Sequence, residues 1–350
     1  MKLLWQTLLQ SGRLFKLRYS LPRTTWQTLA LLSGLKAGKD DRLTAVTCSI
    51  SQDFVRLWLY FAKSFLNKEK WRYIILDSSG DINPQTVPDA EVIRIYNMRH
   101  GAKIDIAILR IIRSKLVFLC DDDKYLITDP ASAFNHFTDP TVAAVSLCRR
   151  EWYRWKIKNE EHWPMGSYSL LFNRNIFLEN NLTFKPFPNR IAHNRVFIDP
   201  DSKQTAVYDT GDHANEQLLL MGRRVITYPE GDFILGFHSL SSSKILLLMN
   251  KKEDIMSALL SARHYHGLNG MTLFSLYSLT KFEQLFRKVF NEQPQFSSGL
   301  ASGDLIAIIN RNSIISSGEK EMVYRHFAAI DSVTRRLEEY IIVINGRFRK

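Results

Sequence analysis

The sequence is short of cysteine, with only Cys48, Cys120 and Cys148 among 350 residues. Their spacings suit neither a disulfide framework nor a zinc site, and all three fall on or beside apolar segments that read as buried strands. A reducing compartment is the expectation. Long hydrophobic runs are missing too: no stretch of 18 or more apolar residues exists, which argues against a bilayer-spanning helix. Met1 to Leu9 carries only Lys2 ahead of an apolar stretch broken by Gln6 and Thr7, a poor secretory signal. The expected location is cytoplasmic, with a peripheral place on the inner face of a membrane as an option.

Acidic residues are absent before Asp40, whereas Lys2, Arg13, Lys16, Arg18, Arg23, Lys36 and Lys39 all precede it. Much of the net charge of +12 therefore belongs to a short amino-terminal segment. Leu4, Trp5, Leu8, Leu9 and Phe15 recur at helical spacing, and Trp26, Leu29 and Leu32 repeat the pattern after Pro22. Residues 1–41 read as a basic amphipathic helical segment. Residues 1–36 suit either packing on the following domain or association with an anionic membrane surface. A nucleic-acid partner is not expected, because the basic residues gather at one end instead of forming a stripe beside aromatics.

At 45% hydrophobic and 12% aromatic content the chain can bury a large core. From about residue 42 the pattern becomes strands alternating with helices, the signature of a parallel sheet. Strands are expected at Leu43 to Ile50, Trp71 to Leu76, Val92 to Tyr96 and Leu116 to Cys120. Helices are expected from Asp53 to Leu66 and from His100 to about Arg113. The fourth strand stops abruptly at Asp121-Asp122-Asp123. Buried parallel strands end at the carboxyl edge of the sheet, where open α/β folds bind ligands. Three adjacent carboxylates there repel one another unless a proton or a cation is shared, and a hard divalent ion bridging to phosphate oxygens resolves the conflict. Side-chain alternation turns Asp121 and Asp123 to one side and Asp122 to the other.

Three segments in order, Asp77-Ser78-Ser79-Gly80-Asp81, His100-Gly101-Ala102-Lys103-Ile104-Asp105 and Phe118-Leu119-Cys120-Asp121-Asp122-Asp123, resemble the nucleotide-sugar half of glycosyltransferases with the GT-A fold, especially those like family 2. The likeness covers roughly residues 42–240. It implies an α/β fold, a Rossmann-type mostly parallel sheet flanked by helices, here with helical amino- and carboxy-terminal extensions. The domains expected are 1–41, the transferase domain at 42–244 and a helical extension at 245–350.

The resemblance also implies roles. Asp77 matches the carboxylate that accepts from the nucleotide base, usually uracil. Lys103 meets diphosphate charge near a helix start. Asp121, Asp122 and Asp123 bind the donor and its metal, Mn2+ or Mg2+, with Asp121 and Asp123 as ligands and His238 completing the set. Gly166, in Trp163-Pro164-Met165-Gly166-Ser167-Tyr168, lets backbone approach the donor sugar. Asp212 opens a helix that ends at Gly222 and matches the general base of the acidic pair in the relatives, although Gly211 stands where the preceding Glu would be. Asp209 is the reserve. The activity implied is a hexosyltransferase-type glycosyltransferase, inverting, moving sugar from a nucleotide-diphosphate sugar, a UDP-sugar first, to a saccharide or glycolipid acceptor in cell-surface glycan synthesis. A nucleotidyltransferase is the alternative, and the glycine-free Thr47-Cys48-Ser49-Ile50-Ser51-Gln52 after the first strand counts against it. A basic non-enzymatic nucleic-acid binder is the other.

Overall fold

The computed structural model describes residues 42–95, 99–199, 206–237, 240, 269–295, 301–311 and 316–348. The basic segment 1–41, His238 and residues 245–268 of the expected helical extension lie outside the described residues. The described chain forms two compact units. One runs from residue 42 to 234 apart from 56–58, and the other takes 56–58 with 235 onward.

In the first unit the strands are β1 (Leu43–Ser49), β2 (Trp71–Asp77), β3 (Ala90–Arg94), β4 (Leu116–Cys120), β5 (Lys124–Leu126), β6 (Val142–Ser146), β7 (Tyr153–Ile157), β8 (Glu160–His162), β9 (Ser169–Asn173), β10 (Phe187–Ile191), β11 (Arg195–Phe197), β12 (Val207–Tyr208) and β13 (Arg224–Thr227). The helices are α1 (Gln52–Phe65), α2 (His100–Ile106), α3 (Ala131–Phe134), α4 (Arg174–Glu179) and α5 (Asp212–Leu220). Seven strands make the main sheet in the order β13-β6-β9-β4-β1-β2-β3. β1 pairs in parallel with β2 and β4, β2 with β3, and β13 with β6. Only β9 is reversed, running antiparallel to β4 and β6. The first unit is therefore α/β, with a mostly parallel sheet flanked by helices.

Both faces of the sheet centre are covered, which is why β4 and β6 read as unbroken apolar runs instead of alternating ones. Val46, Leu76, Val117, Leu119, Leu170 and Phe172 share one core cluster with Ile104, Ile108 and Ile111 from α2 and the turn after it. That turn, Ala107–Ile111, is a π-helical continuation of α2. It keeps Ile108 and Ile111 on the core side while the chain approaches β4. α1 is capped by Ser51, whose side chain accepts from the Phe54 N–H. β7, β8 and β11 form a small antiparallel sheet, and β10 pairs with β12.

In the second unit α6 (Asn269–Phe290), α7 (Ser302–Arg311) and α8 (Ser317–Phe348) enclose Phe274, Tyr277, Leu305, Ile309, Val323 and Phe327. The Tyr277 and Phe327 rings stack at 3.8 Å, and the Tyr277 hydroxyl donates to Asp331. α7 was not expected, because Ser302 and Gly303 open it directly after a polar stretch. Among the described residues no helix is long and apolar enough to cross a membrane.

The main core hangs on Phe172, which is fully buried on the reversed strand with the Phe177 and Phe184 rings 4.8 and 5.6 Å away. Phe172→Ala leaves a cavity, and chemical denaturation is expected to show a loss of about 3–5 kcal/mol.

Candidate active site

The carboxyl ends of β1, β2 and β4 meet at one edge of the main sheet, and the acidic triplet sits there. After Cys120 the strand turns: the Asp121 N–H donates to Tyr168 O at 2.9 Å, adding one rung to the β4–β9 pairing, and the Lys124 N–H donates to Asp121 O at 3.1 Å. Asp122 points inward and is buried, accepting from the Ser49 hydroxyl at the end of β1. Asp121 is partly exposed and lies 3.2 Å from His100 Nε2, at the start of α2. Asp123 is also only partly covered.

The electrostatics follow from this crowding. Burial pushes the Asp122 carboxyl up to about 7, against the Ser49 hydrogen bond, with Asp121 adding to the rise and His100 and Lys103 opposing it. Asp123 is raised well above the ordinary range, first by desolvation and then by Asp121 and Asp122, while Lys124 opposes. Two buried lysines face the cluster. Lys103 Nζ donates to Ser78 Oγ at 2.9 Å. Its pKa is lowered by burial, although Cys48, Asp122, Asp121 and Asp77 all pull it upward. Lys124 Nζ lies 3.5 Å from Glu230 and 5.3 Å from the centre of the Tyr168 ring. His100 and Ser49 were missed in the sequence. His100 sits three residues before Lys103 and so one helical turn away, which was the available signal.

Asp77 ends β2 and is fully buried. Its Oδ1 accepts from Ser79 N, Ser79 Oγ and Gly80 N, and its Oδ2 takes Ile82 N at 3.4 Å with Arg94 Nε 3.8 Å away. Most of its capacity is spent on its own turn. A Cβ at Gly166 would stand 2.1 Å from the Cys148 carbonyl oxygen and 2.8 Å from the Tyr168 ring. Gly166 therefore lets two segments of this chain touch, and its N–H donates to Ser146 Oγ at 2.9 Å.

Asp212 stands at the first position of α5, behind Gly211 with φ at 80°. It is 1% exposed. Oδ1 accepts from Arg150 Nη1 at 2.9 Å and the Tyr153 hydroxyl at 2.8 Å. Oδ2 accepts from Arg195 Nη2 and from the Asp209 N–H at 2.8 Å. A carboxylate offers about four lone-pair sites, and all are engaged. In this arrangement Asp212 has no lone pair left for an acceptor proton. The Asp212 charge holds the Arg150 guanidinium protonated and raises its pKa even though burial alone would lower it. Asp209 differs: its side chain is 65% exposed, with one hydrogen bond from the Thr210 N–H and Arg150 Nη2 at 3.5 Å. Arg150 also reaches Ser167 Oγ at 3.4 Å, next to the Tyr168 that pairs with Asp121.

A divalent ion fits the donor set. Asp121 Oδ1 is buried and has no hydrogen-bond partner among the described residues, with His100 Nε2 3.2 Å away. Among the described residues no three His, Cys, Asp or Glu side chains converge to enclose an ion. The protein would thus supply one or two carboxylates and leave the remaining positions to water and phosphate, the ordinary pattern for magnesium-like ions.

No family model and no curated protein matches the sequence. Among solved structures, the chain is similar to a mannosyltransferase from Pyrobaculum calidifontis in complex with GDP-Man and Mn2+, at 14% identity over 92% of each chain with a TM-score of 0.41. It is also similar to S. aureus TarS 1–349 in complex with UDP, at 13% identity over 85% of this chain and 90% of that one, TM-score 0.35. A putative glucose-1-phosphate thymidylyltransferase from Bacillus anthracis shares 10% identity over 55% of this chain and 89% of that one, TM-score 0.34. None of the three bears on which residues act.

Two outcomes are expected. A folded pKa of about 7 for Asp122, above the usual unfolded value of about 3.9, means its contribution to stability is complete below about pH 4 and is lost as pH rises through about 7. Asp122→Asn should therefore melt higher than the parent at pH 8 in metal-free buffer, with the gap closing toward pH 4. Asp212→Asn, which unpairs two buried guanidiniums, should cost about 3–5 kcal/mol in denaturant titration, while Asp209→Asn should stay within about 0.5 kcal/mol of the parent.

Proposed function

We propose that this chain is a glycosyltransferase that moves a sugar from a uridine diphosphate sugar to a hydroxyl of a saccharide or glycolipid acceptor, with inversion and with help from a divalent ion. The observation that carries the reading is the meeting of Ser49, Ser78, Lys103, His100 and the acidic triplet at the carboxyl edge of three parallel strands.

Asp121 and Asp123 would hold the ion, which supplies Lewis-acid neutralisation of the departing diphosphate. His238, outside the described residues, is the proposed further ligand. Lys103 offers a cation to the same phosphates from beside Ser78. Asp122, locked to Ser49, sets the turn that presents its two neighbours. Asp77 faces the nucleotide base with its less occupied Oδ2, and Gly166 fixes the floor by packing on Cys148. The acceptor oxygen attacks the anomeric carbon, the bond from that carbon to the diphosphate breaks, and the acceptor proton passes to a carboxylate. Of the two candidates Asp209 is the one with capacity to take it, and Asp212 positions it through Arg150 and through the Asp209 N–H. Residues 1–36 remain the proposed membrane-facing segment for a glycolipid acceptor.

The test is calorimetric titration of the full chain with UDP and GDP, with and without Mn2+. UDP should bind at least about tenfold tighter with Mn2+, and Asp123→Ala should lose that gain. Asp209→Asn should bind UDP like the parent yet turn over UDP-sugars about 10²–10⁴-fold more slowly. Manganese-independent binding, identical in Asp123→Ala, would overturn the site.

A further inference from the structure

In the helical unit α8 is buried along one stripe that includes Leu337, Ile341 and Ile344, spaced by four and three residues. Its opposite side over the last turns is exposed at Arg335, Arg336, Glu339, Ile342, Val343 and Arg347. Ile342 is 63% and Val343 51% exposed, and Ile342 exposes more of its surface than any other large hydrophobic residue described. The inward stripe already packs the helix, so nothing in the unit's own core requires two adjacent branched aliphatics on the outer side.

Arginines bracket them. Arg335 and Arg336 lie about two turns before, and Arg347 one turn after, all three exposed, with Glu339 between them. Phe348, Arg349 and Lys350 follow in the sequence. Guanidinium groups around a small apolar patch on a helix lying along a surface are the chemistry of the boundary between lipid headgroups and acyl chains, where aliphatics enter the apolar side and arginine stems reach back to phosphate.

We propose that this face of α8 docks on an anionic lipid surface, with Ile342 and Val343 inserted and Arg335, Arg336 and Arg347 on lipid phosphates. Charge decides between occupants. A second copy of the same face would bring three arginines against three, and like charges brought together disfavour the pairing, whereas an anionic bilayer neutralises them. The docking is independent of the transferase reading, since no residue of the candidate active site takes part.

The full chain is sedimented with vesicles of phosphatidylcholine alone and of phosphatidylcholine mixed with phosphatidylglycerol. Partition into the mixed vesicles only, weakening with added salt, is expected. Ile342→Glu with Val343→Glu should reduce that partition at least about tenfold with an unchanged melting temperature, because both positions are exposed. Arg335→Gln, Arg336→Gln and Arg347→Gln together should reduce it on the order of fivefold per charge removed. Parent-like partition of both variants would overturn the proposal by leaving the basic amino-terminal segment as the membrane contact. So would a parent that ignores anionic vesicles, or an aliphatic variant whose only change is loss of self-association in size measurements.

Discussion

Three consecutive carboxylates at one sheet edge repel one another, and the groups packed around them moderate that repulsion. Asp122 is turned inward onto Ser49, at the cost of a carboxyl raised to about 7 by its burial. Lys103 and Lys124 reach the cluster from different elements, both buried. Burying an ammonium is itself costly unless negative charge surrounds it, so the lysines and the acids each make the other tolerable. Among the described residues Asp121 Oδ1 still has no hydrogen-bond donor, and desolvation keeps the Asp123 carboxyl raised.

A second buried knot centres on Asp212. Asp212 gathers Arg150, Tyr153 and Arg195 from three segments and ties them to the start of α5. Below it on the same helix, Asn215 accepts from Trp155 Nε1 and the Met165 N–H, and Glu216 accepts from Asn194 and the Tyr208 hydroxyl. The polar face of α5 is thus spent on fixing the small sheet and the Met165–Tyr168 segment, so a helix of weak amphipathic character is buried all the same. Arg150, held by Asp212, also reaches Asp209 Oδ2 at 3.5 Å and Ser167 Oγ at 3.4 Å.

Much of the fold is legible locally. Leu116 to Cys120 is bounded by Lys115 and Asp121 and forms the expected strand residue for residue, because a run of five apolar residues between charges can only be buried whole. β3 begins two residues earlier than its apolar core, since Ala90 and Glu91 pair with β2 although neither is strongly apolar. The reversal of β9 leaves no trace in Ser169 to Asn173: a strand buried on both faces has the same composition whichever way it runs. Gly166 is conspicuous in the sequence, but the neighbour that forbids a side chain there is Cys148, 18 positions before it in the chain.

The sequence by itself determined where apolar strands stop and acids begin, and so which carboxylates stand at the sheet edge, since burial preference and charge are properties of single residues. Only the tertiary structure decided which of those carboxylates keep free lone pairs. Asp212 is saturated by Arg150, Tyr153 and Arg195, which lie 62, 59 and 17 positions away. Hydrogen-bond capacity is exhausted by whatever folding brings near, and local sequence carries no record of partners that distant.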